Sequence, residues 1–137
     1  MAVKTKAEKP LRILLAEDNA VNRILAVRIL GKRGHSVEVA GNGREALERL
    51  ARVRFDLLLT DMQMPEMDGF ETAAAIREQE RRTGGHLPII AMTAMAMKGD
   101  RERCLQVGMD GYVSKPMQPS ELLETIERFS PMPASIA

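Results

Sequence analysis

Five short runs of β-type residues alternate along the chain with five segments of helical period, and that alternation leaves few folds open. The runs are residues 11–16 (LRILLA), 36–40 (SVEVA), 55–60 (FDLLLT), 87–92 (LPIIAM) and 111–113 (GYV). Two of them are nearly continuous apolar runs, the composition of strands covered on both faces. Between the runs, apolar residues recur at three- and four-residue spacing. Val21, Ile24, Leu25, Ile29 and Leu30 mark a first helix, expected to stop at Gly31 and Gly34. Ala46, Leu47, Leu50 and Val53 mark a second, and Phe70, Ala73, Ala74 and Ile76 a third. A fourth, around 98–107, is the weakest, because Gly99 lies at its start and much of its surface is charged. Leu122, Leu123, Ile126 and Phe129 mark the fifth. Alternation of this kind calls for an α/β fold, a parallel sheet with helices on both faces and right-handed crossovers. At this length the expected architecture is a flavodoxin-like (βα)5 three-layer sandwich with strand order 2-1-3-4-5. Its ligands lie beyond the carboxyl ends of the strands.

A length of 137 residues fits one domain with a sizeable core. Residues 11–129 carry the alternation. Residues 1–10 are polar and Lys-rich and read as a flexible tail or linker, and 130–137 (SPMPASIA) as a second tail. The formal net charge of +1 supplies no global field for nucleic acid or membrane surfaces. With three Phe, one Tyr and no Trp, the chain lacks stacking platforms for single-stranded nucleic acid. The single cysteine, Cys104, fits a reducing, cytoplasmic setting. No apolar run approaches the roughly 18 residues of a membrane-spanning helix, and no signal-peptide core follows Met1.

The carboxyl ends of the strands hold the chemistry. They carry Glu17-Asp18, Asp61, Thr93-Ala94 and Ser114-Lys115-Pro116, and a parallel sheet brings all of these to one edge. Taken singly, each has an ordinary structural explanation: a helix cap, a turn, a satisfied hydroxyl, a solvated lysine. Together they need more, since two carboxylates about 4 Å apart repel by about 4 kcal/mol at an effective dielectric near 20. Gathering three requires a proton, a lysine or a divalent cation. Oxygen-only ligands suit a hard ion such as Mg²⁺, which keeps waters for phosphate oxygens. Lys115 adds a point charge suited to a phosphoryl oxygen, and Thr93 a hydrogen-bond donor. This inventory fits phosphoryl transfer with a carboxylate nucleophile, for which Asp61, at the end of a central strand, is the strongest candidate.

Four blocks, ILLAEDNAVNR, FDLLLTDMQMPEMDGFE, PIIAMTA and MDGYVSKP, stand in the order and spacing of the receiver domain of two-component response regulators. The chain resembles that family from residue 11 to about 129, and within it the receivers of hybrid sensor histidine kinases. The resemblance implies that Asp61 accepts a phosphoryl group from a phosphohistidine. Glu17, Asp18, Asp61 and the backbone carbonyl of Gln63 would hold Mg²⁺, Thr93 and Lys115 would bind the phosphoryl group, and Lys115–Pro116 would be cis. Thr93 and Tyr112 would form the conformational switch; on its own, Tyr112 is an ordinary half-buried tyrosine. Asp68 is expected to cap the third helix rather than bind metal. Gly41-x-Gly43 lacks the third glycine of a dinucleotide loop. Gln63 and Met95 would flank the path of hydrolytic water, and an apolar Met95 predicts a long-lived phosphoaspartate. His35 and His86 are expected in exposed loops, and Cys104 in the fourth helix.

The expected function is a phosphoryl-accepting switch that catalyses its own phosphorylation and dephosphorylation and turns over no separate substrate. Its partners would be a histidine kinase or histidine phosphotransfer protein as donor and a downstream protein, or the parent hybrid kinase. Contact with nucleic acid or membrane is not expected of it. The face of the fourth helix, fifth strand and fifth helix would carry the signal, with residues 91–97 (AMTAMAM) supplying either an adaptable surface or core packing. A Mg²⁺-dependent phosphatase or mutase is the alternative, but such enzymes use a second aspartate where this chain has Gln63. A degenerate docking module fits less well, because Glu17, Asp18, Asp61, Thr93 and Lys115 are all present.

Overall fold

A computed structural model describes residues 10–94 and 98–129, without the side chains of 98–101. The elements follow in strict alternation: β1 (Arg12–Ala16), α1 (Ala20–Lys32), β2 (Ser36–Ala40), α2 (Gly43–Arg52), β3 (Leu57–Asp61), α3 (Gly69–Thr83), β4 (Ile89–Thr93), α4 (Lys98–Gln106), β5 (Gly111–Ser114) and α5 (Pro119–Arg128). The strands form one parallel sheet in the order β2-β1-β3-β4-β5, as the alternation predicts. Residues 1–9 of the expected tail 1–10, the expected tail 130–137, and Met95 to Met97 lie outside the described residues.

Side chains alternate across the pleat and sort the core into two layers. Ile13 and Leu15 of β1, Leu57 and Leu59 of β3, and Ile90 and Met92 of β4 point to one face, beneath α1 and α5. Leu14, Leu58, Ile89 and Ala91 point to the other, beneath α2, α3 and α4. Every residue of β3 and β4 is buried, so these two strands are rigid supports for whatever stands at their ends.

The ladder is shifted slightly from the apolar runs. β3 starts two residues after Phe55, because the Asp56 segment bonds sideways to β1: its N–H donates to Arg12 O (2.7 Å) and its carboxylate accepts from Arg12 N–H (2.8 Å). β4 starts after Pro88, which has no N–H to donate, although its carbonyl accepts from Leu58 N–H (2.9 Å). Both strands run one residue further than their apolar composition, so Asp61 and Thr93 are ladder residues, paired with Met92 and Ser114.

Helix starts follow the capping residues. Asn19 and Asn42 accept from the N–H groups of Asn22 and Glu45, and Asp68 forms a reciprocal capping box with Glu71. Gly31 does not stop α1 as expected; it lies inside the helix. The turn comes at Gly34, whose φ of 99° is the left-handed conformation that favours glycine.

One expectation is reversed: His35 is buried, with its side chain wholly out of solvent. The N–H of Leu11, ahead of β1, needs an acceptor, and His35 Nδ1 supplies it at 2.9 Å. Its Nε2 then carries the hydrogen and donates to Glu127 of α5 at 3.2 Å. Arg33 grips the same carboxylate through two bonds, of 2.7 and 2.9 Å. His86 is exposed, as expected, and lies 2.7 Å from Asp110. Cys104 is in α4 and buried.

Candidate functional site

The carboxyl ends of β1, β3, β4 and β5 converge, and each brings one element of the site. Asp61 ends β3 and is 6% exposed. Its Oδ2 lies 2.8 Å from Lys115 Nζ, and its Oδ1 accepts the Gln63 N–H at 3.2 Å. The backbone after it is held tightly: Met62 N–H donates to Met92 O, and Gly69 N–H to Met62 O. Gly69 is needed there, since a Cβ at that position would stand 2.5 Å from Asp61 O and 3.0 Å from Met62 Cα. Close approach of α3 to the end of β3 thus fixes the Asp61 loop.

Glu17 and Asp18 leave β1 in different directions. Glu17 is fully buried, whereas Asp18 is exposed. Glu17 Oε1 accepts the Asn19 N–H (3.0 Å), tying the carboxylate to the cap of α1. The Glu17 carbonyl accepts from Arg23 Nε one turn into that helix. Glu17 Oε2 is buried and has no hydrogen-bond partner among the described residues, with Lys115 Nζ 3.5 Å away. Burial is the main reason the Glu17 carboxyl is held above its ordinary pKa. The neighbouring Asp61 carboxyl adds to the rise, while the Asn19 N–H and Lys115 oppose it.

Among the described residues, Glu17, Asp18 and Asp61 are the one set of His, Cys, Asp or Glu side chains able to share a metal ion. One oxygen from each lies within 4.8 Å of the others. The donor set is all oxygen, and Glu17 Oε2 is a buried acceptor without a hydrogen-bond partner among the described residues. A hard divalent cation fits both features.

Thr93 ends β4 and is nearly buried, and its carbonyl accepts from the Lys115 N–H at 2.8 Å. Lys115 therefore sits beside Thr93 by a backbone bond and reaches both acids with its side chain. The Lys115–Pro116 bond is cis. Tyr112 is half-buried on β5, paired with Ala91 two residues before Thr93. Asp68 is committed to the α3 capping box through the Glu71 N–H at 2.8 Å. The structure thus brings Glu17, Asp18, Asp61, Thr93 and Lys115 to one edge, with Gln63 beside them.

Two contacts next to this edge have no counterpart in the sequence reading. One is the Arg23 bond to the Glu17 carbonyl. The other is Arg103 of α4, whose guanidinium lies 3.8 Å from the ring centroid of Phe70 in α3. Arg23 closes the first of the four blocks and Arg103 lies outside all of them, but neither contact can be read from one dimension, and only the folded geometry reveals it.

Residues 13–127 match the family described as the response regulator receiver domain. Among curated proteins, the chain is 45% identical over 122 residues to hybrid signal transduction histidine kinase I of Dictyostelium discoideum. That match takes in 85% of this chain and 7% of the relative. It is 40% identical over 136 residues to probable histidine kinase 4 of Oryza sativa subsp. japonica, covering 85% of this chain and 14% of that protein. The chain therefore spans a small fraction of the curated relatives it matches. Among solved structures, it resembles the receiver domain of a sensor histidine kinase from Pseudomonas aeruginosa, which has a magnesium ion coordinated in its active-site cleft. The TM-score is 0.79 and the identity 40%, over 88% of this chain and 98% of that one. It also resembles a chain in the co-crystal structure of the Saccharomyces cerevisiae histidine phosphotransfer protein Ypd1 with the receiver domain of Ssk1. There the TM-score is 0.86 and the identity 28%, over 91% of this chain and 92% of that one. No helix among the described residues is long and apolar enough to cross a membrane.

Proposed function

The chain belongs to the response regulator receiver family, and from that premise we propose that Asp61 is its phosphoryl acceptor in a two-component phosphorelay. The observation that carries the proposal is the placing of Asp61. It is a buried carboxylate at the end of a central strand, 2.8 Å from a lysine and within 4.8 Å of two further acids. We take residues 11–129 as the unit that performs this task.

Glu17, Asp18, Asp61 and the Gln63 carbonyl would hold Mg²⁺, a reading supported by the orphaned Glu17 oxygen and by the magnesium-bearing Pseudomonas receiver. When bound, the ion supplies positive charge against the phosphoryl oxygens. An Asp61 carboxylate oxygen attacks phosphorus in line, forming the O–P bond as the P–N bond of a phosphohistidine breaks. The electron pair leaves on the imidazole nitrogen. Lys115, already in contact with Asp61, pairs with a phosphoryl oxygen, and the Thr93 hydroxyl donates to another. Because Thr93 and Tyr112 lie on paired strands, a shift of Thr93 is passed to the ring two ladder positions away. Gln63 stands where phosphatases of this kind carry a second aspartate, and its amide cannot serve as acid or base at that position.

The donor would be a histidine kinase or histidine phosphotransfer protein. Its docking site is α1, beside the acids, where Val21, Ile24 and Val27 are 71%, 58% and 38% exposed. The test is transfer from a phosphorylated histidine phosphotransfer protein in the presence of Mg²⁺. Label should pass to the wild type and not to Asp61→Asn; transfer to the variant at the wild-type rate would reject Asp61 as acceptor.

A further inference from the structure

The loop between β3 and α3 carries the Gln63 carbonyl and bends sharply at Glu66. Among the described residues, Glu66 is the one non-glycine residue with a positive φ, 65°. Met67 N–H donates to Pro65 O at 2.7 Å around it, which closes the rare, strained kind of γ-turn. A glutamate keeps that conformation only where its surroundings fix it, and here they belong to the turn between β2 and α2. Asn42 is buried in that turn and uses both ends of its amide. Its Oδ1 accepts the Glu45 N–H at 2.9 Å and caps α2, which leaves Nδ2 as the donor. Nδ2 donates to Glu66 Oε2 at 2.8 Å, and Gly43 N–H donates to Met67 O at 3.1 Å. Arg44 stands 3.5 Å from the other Glu66 oxygen, but both side chains are more than half exposed, so that ion pair adds little.

We propose that Asn42 and Glu66 are positioning residues for the metal site, their bond holding the strained loop in the shape that presents the Gln63 carbonyl to Mg²⁺. The inference rests on the reading of Glu17, Asp18, Asp61 and Gln63 as the metal ligands. Glu66 follows Gln63 by three residues, and neither it nor Asn42 belongs to the acid cluster, so both act through the backbone. Mg²⁺ demands near-ideal octahedral geometry and tolerates a displaced ligand poorly. Without the Asn42 bond the γ-turn is free to relax, and binding must then restore it. The apparent Kd rises by the inverse of the fraction of molecules that keep the binding shape.

The experiment is a Mg²⁺ titration read from the Asp61 and Gln63 amide chemical shifts, in wild type, Glu66→Ala, Glu66→Gln, Asn42→Asp and the double variant Asn42→Asp/Glu66→Gln. Positioning and simple charge predict different patterns. Glu66→Ala removes the acceptor, and Kd should rise about fivefold, as expected for one charge-assisted bond at a half-exposed site. Glu66→Gln removes the charge but keeps an acceptor for Asn42, so most of the affinity should remain. Asn42→Asp still accepts the Glu45 N–H and caps α2, but it sets a second carboxylate against Glu66. Its added negative charge alone would tighten Mg²⁺ binding, whereas loss of the loop shape should weaken it by about fivefold or more. In the double variant the glutamine amide can donate to the carboxylate at position 42, and Kd should return toward the wild-type value. A wild-type Kd in Glu66→Ala, an equal loss in Glu66→Gln, tighter binding in Asn42→Asp, or a double variant no better than Asn42→Asp overturns the inference and leaves the metal site untouched. Failure of Mg²⁺ to shift either amide in wild type would instead overturn the metal site, and this inference with it.

Discussion

Replacing Lys115 with methionine should expose the electrostatic cost of the acid cluster. Lys115 Nζ is 2.8 Å from Asp61 and 3.5 Å from Glu17, attractions of about 6 and about 5 kcal/mol at an effective dielectric near 20. The acids themselves lie within 4.8 Å, a repulsion of about 3 kcal/mol on the same scale. The attractions are not a net gain, because the folded protein also holds the lysine partly out of water, at 19% side-chain exposure. What methionine removes is the one counter-charge that, among the described residues, lies within 4 Å of the fully buried Glu17 carboxylate. Breaking a buried pair in this way costs about 3–5 kcal/mol, and the residual exposure favours the lower end. A loss near 3 kcal/mol lowers the midpoint of a domain this size by about 10 °C. Thermal and urea unfolding in EDTA at neutral pH measure it. Mg²⁺ at 100 times its Kd should return about 2.7 kcal/mol to any form that binds it.

The same loss should depend on pH. The Glu17 pKa is raised, so stability from its protonated form is full below about pH 4.5 and is lost as pH rises through the raised value. The Lys115→Met deficit should therefore grow across that window and shrink in acid. Adding Glu17→Gln, which removes the buried charge, should recover most of the neutral-pH deficit. A Lys115→Met protein as stable as wild type in EDTA, or a double variant no better than the single, would refute the electrostatic argument.

Two other perturbations probe what holds the site in place. Glu127 is held below its ordinary pKa, first by the Arg33 bonds and also by His35, against the effect of burial. A depressed acid contributes stability above about pH 4.5 that is lost as pH falls through its folded value. Glu127→Gln should therefore unfold a few degrees earlier than wild type at neutral pH, with the gap closing in acid; a gap constant from pH 7 to 3 would contradict this. Gly69→Ala forces a Cβ against Asp61 O and Met62 Cα, backbone atoms that yield little, and should cost about 1–3 kcal/mol in urea unfolding. It should also slow phosphorylation by moving the Asp61 loop, and a variant with wild-type stability and rate would show that the loop is not fixed there.

The sheet and the edge that carries the chemistry were legible because both rest on local composition. The buried runs of β3 and β4 announce strands covered on both faces, and parallel strands place Glu17, Asp18, Asp61, Thr93 and Lys115 at one end without further information. Strand limits were harder to read. Pro88 and the sideways bonds of Asp56 are exchanges with other strands, and they shift the ladder away from the apolar run. His35 was misread for a related reason. A histidine between a glycine and a serine looks like a loop residue until Leu11, 24 residues earlier, is seen to need its nitrogen. Gly31 failed as a stop because a helix tolerates an exposed glycine at a cost of only roughly 1 kcal/mol relative to alanine. Arg103 and Phe70 meet across 33 residues with no shared motif, and nothing in one dimension couples them.

The most direct measurement is the intact mass of the protein after incubation with phosphoramidate and Mg²⁺, followed by mapping of the modified residue. The expected result is the addition of one phosphoryl group, on Asp61, that requires Mg²⁺, is released by hydroxylamine and is absent from Asp61→Asn. A phosphoryl group on another residue, or its undiminished appearance in Asp61→Asn, would contradict the assignment of Asp61 as acceptor.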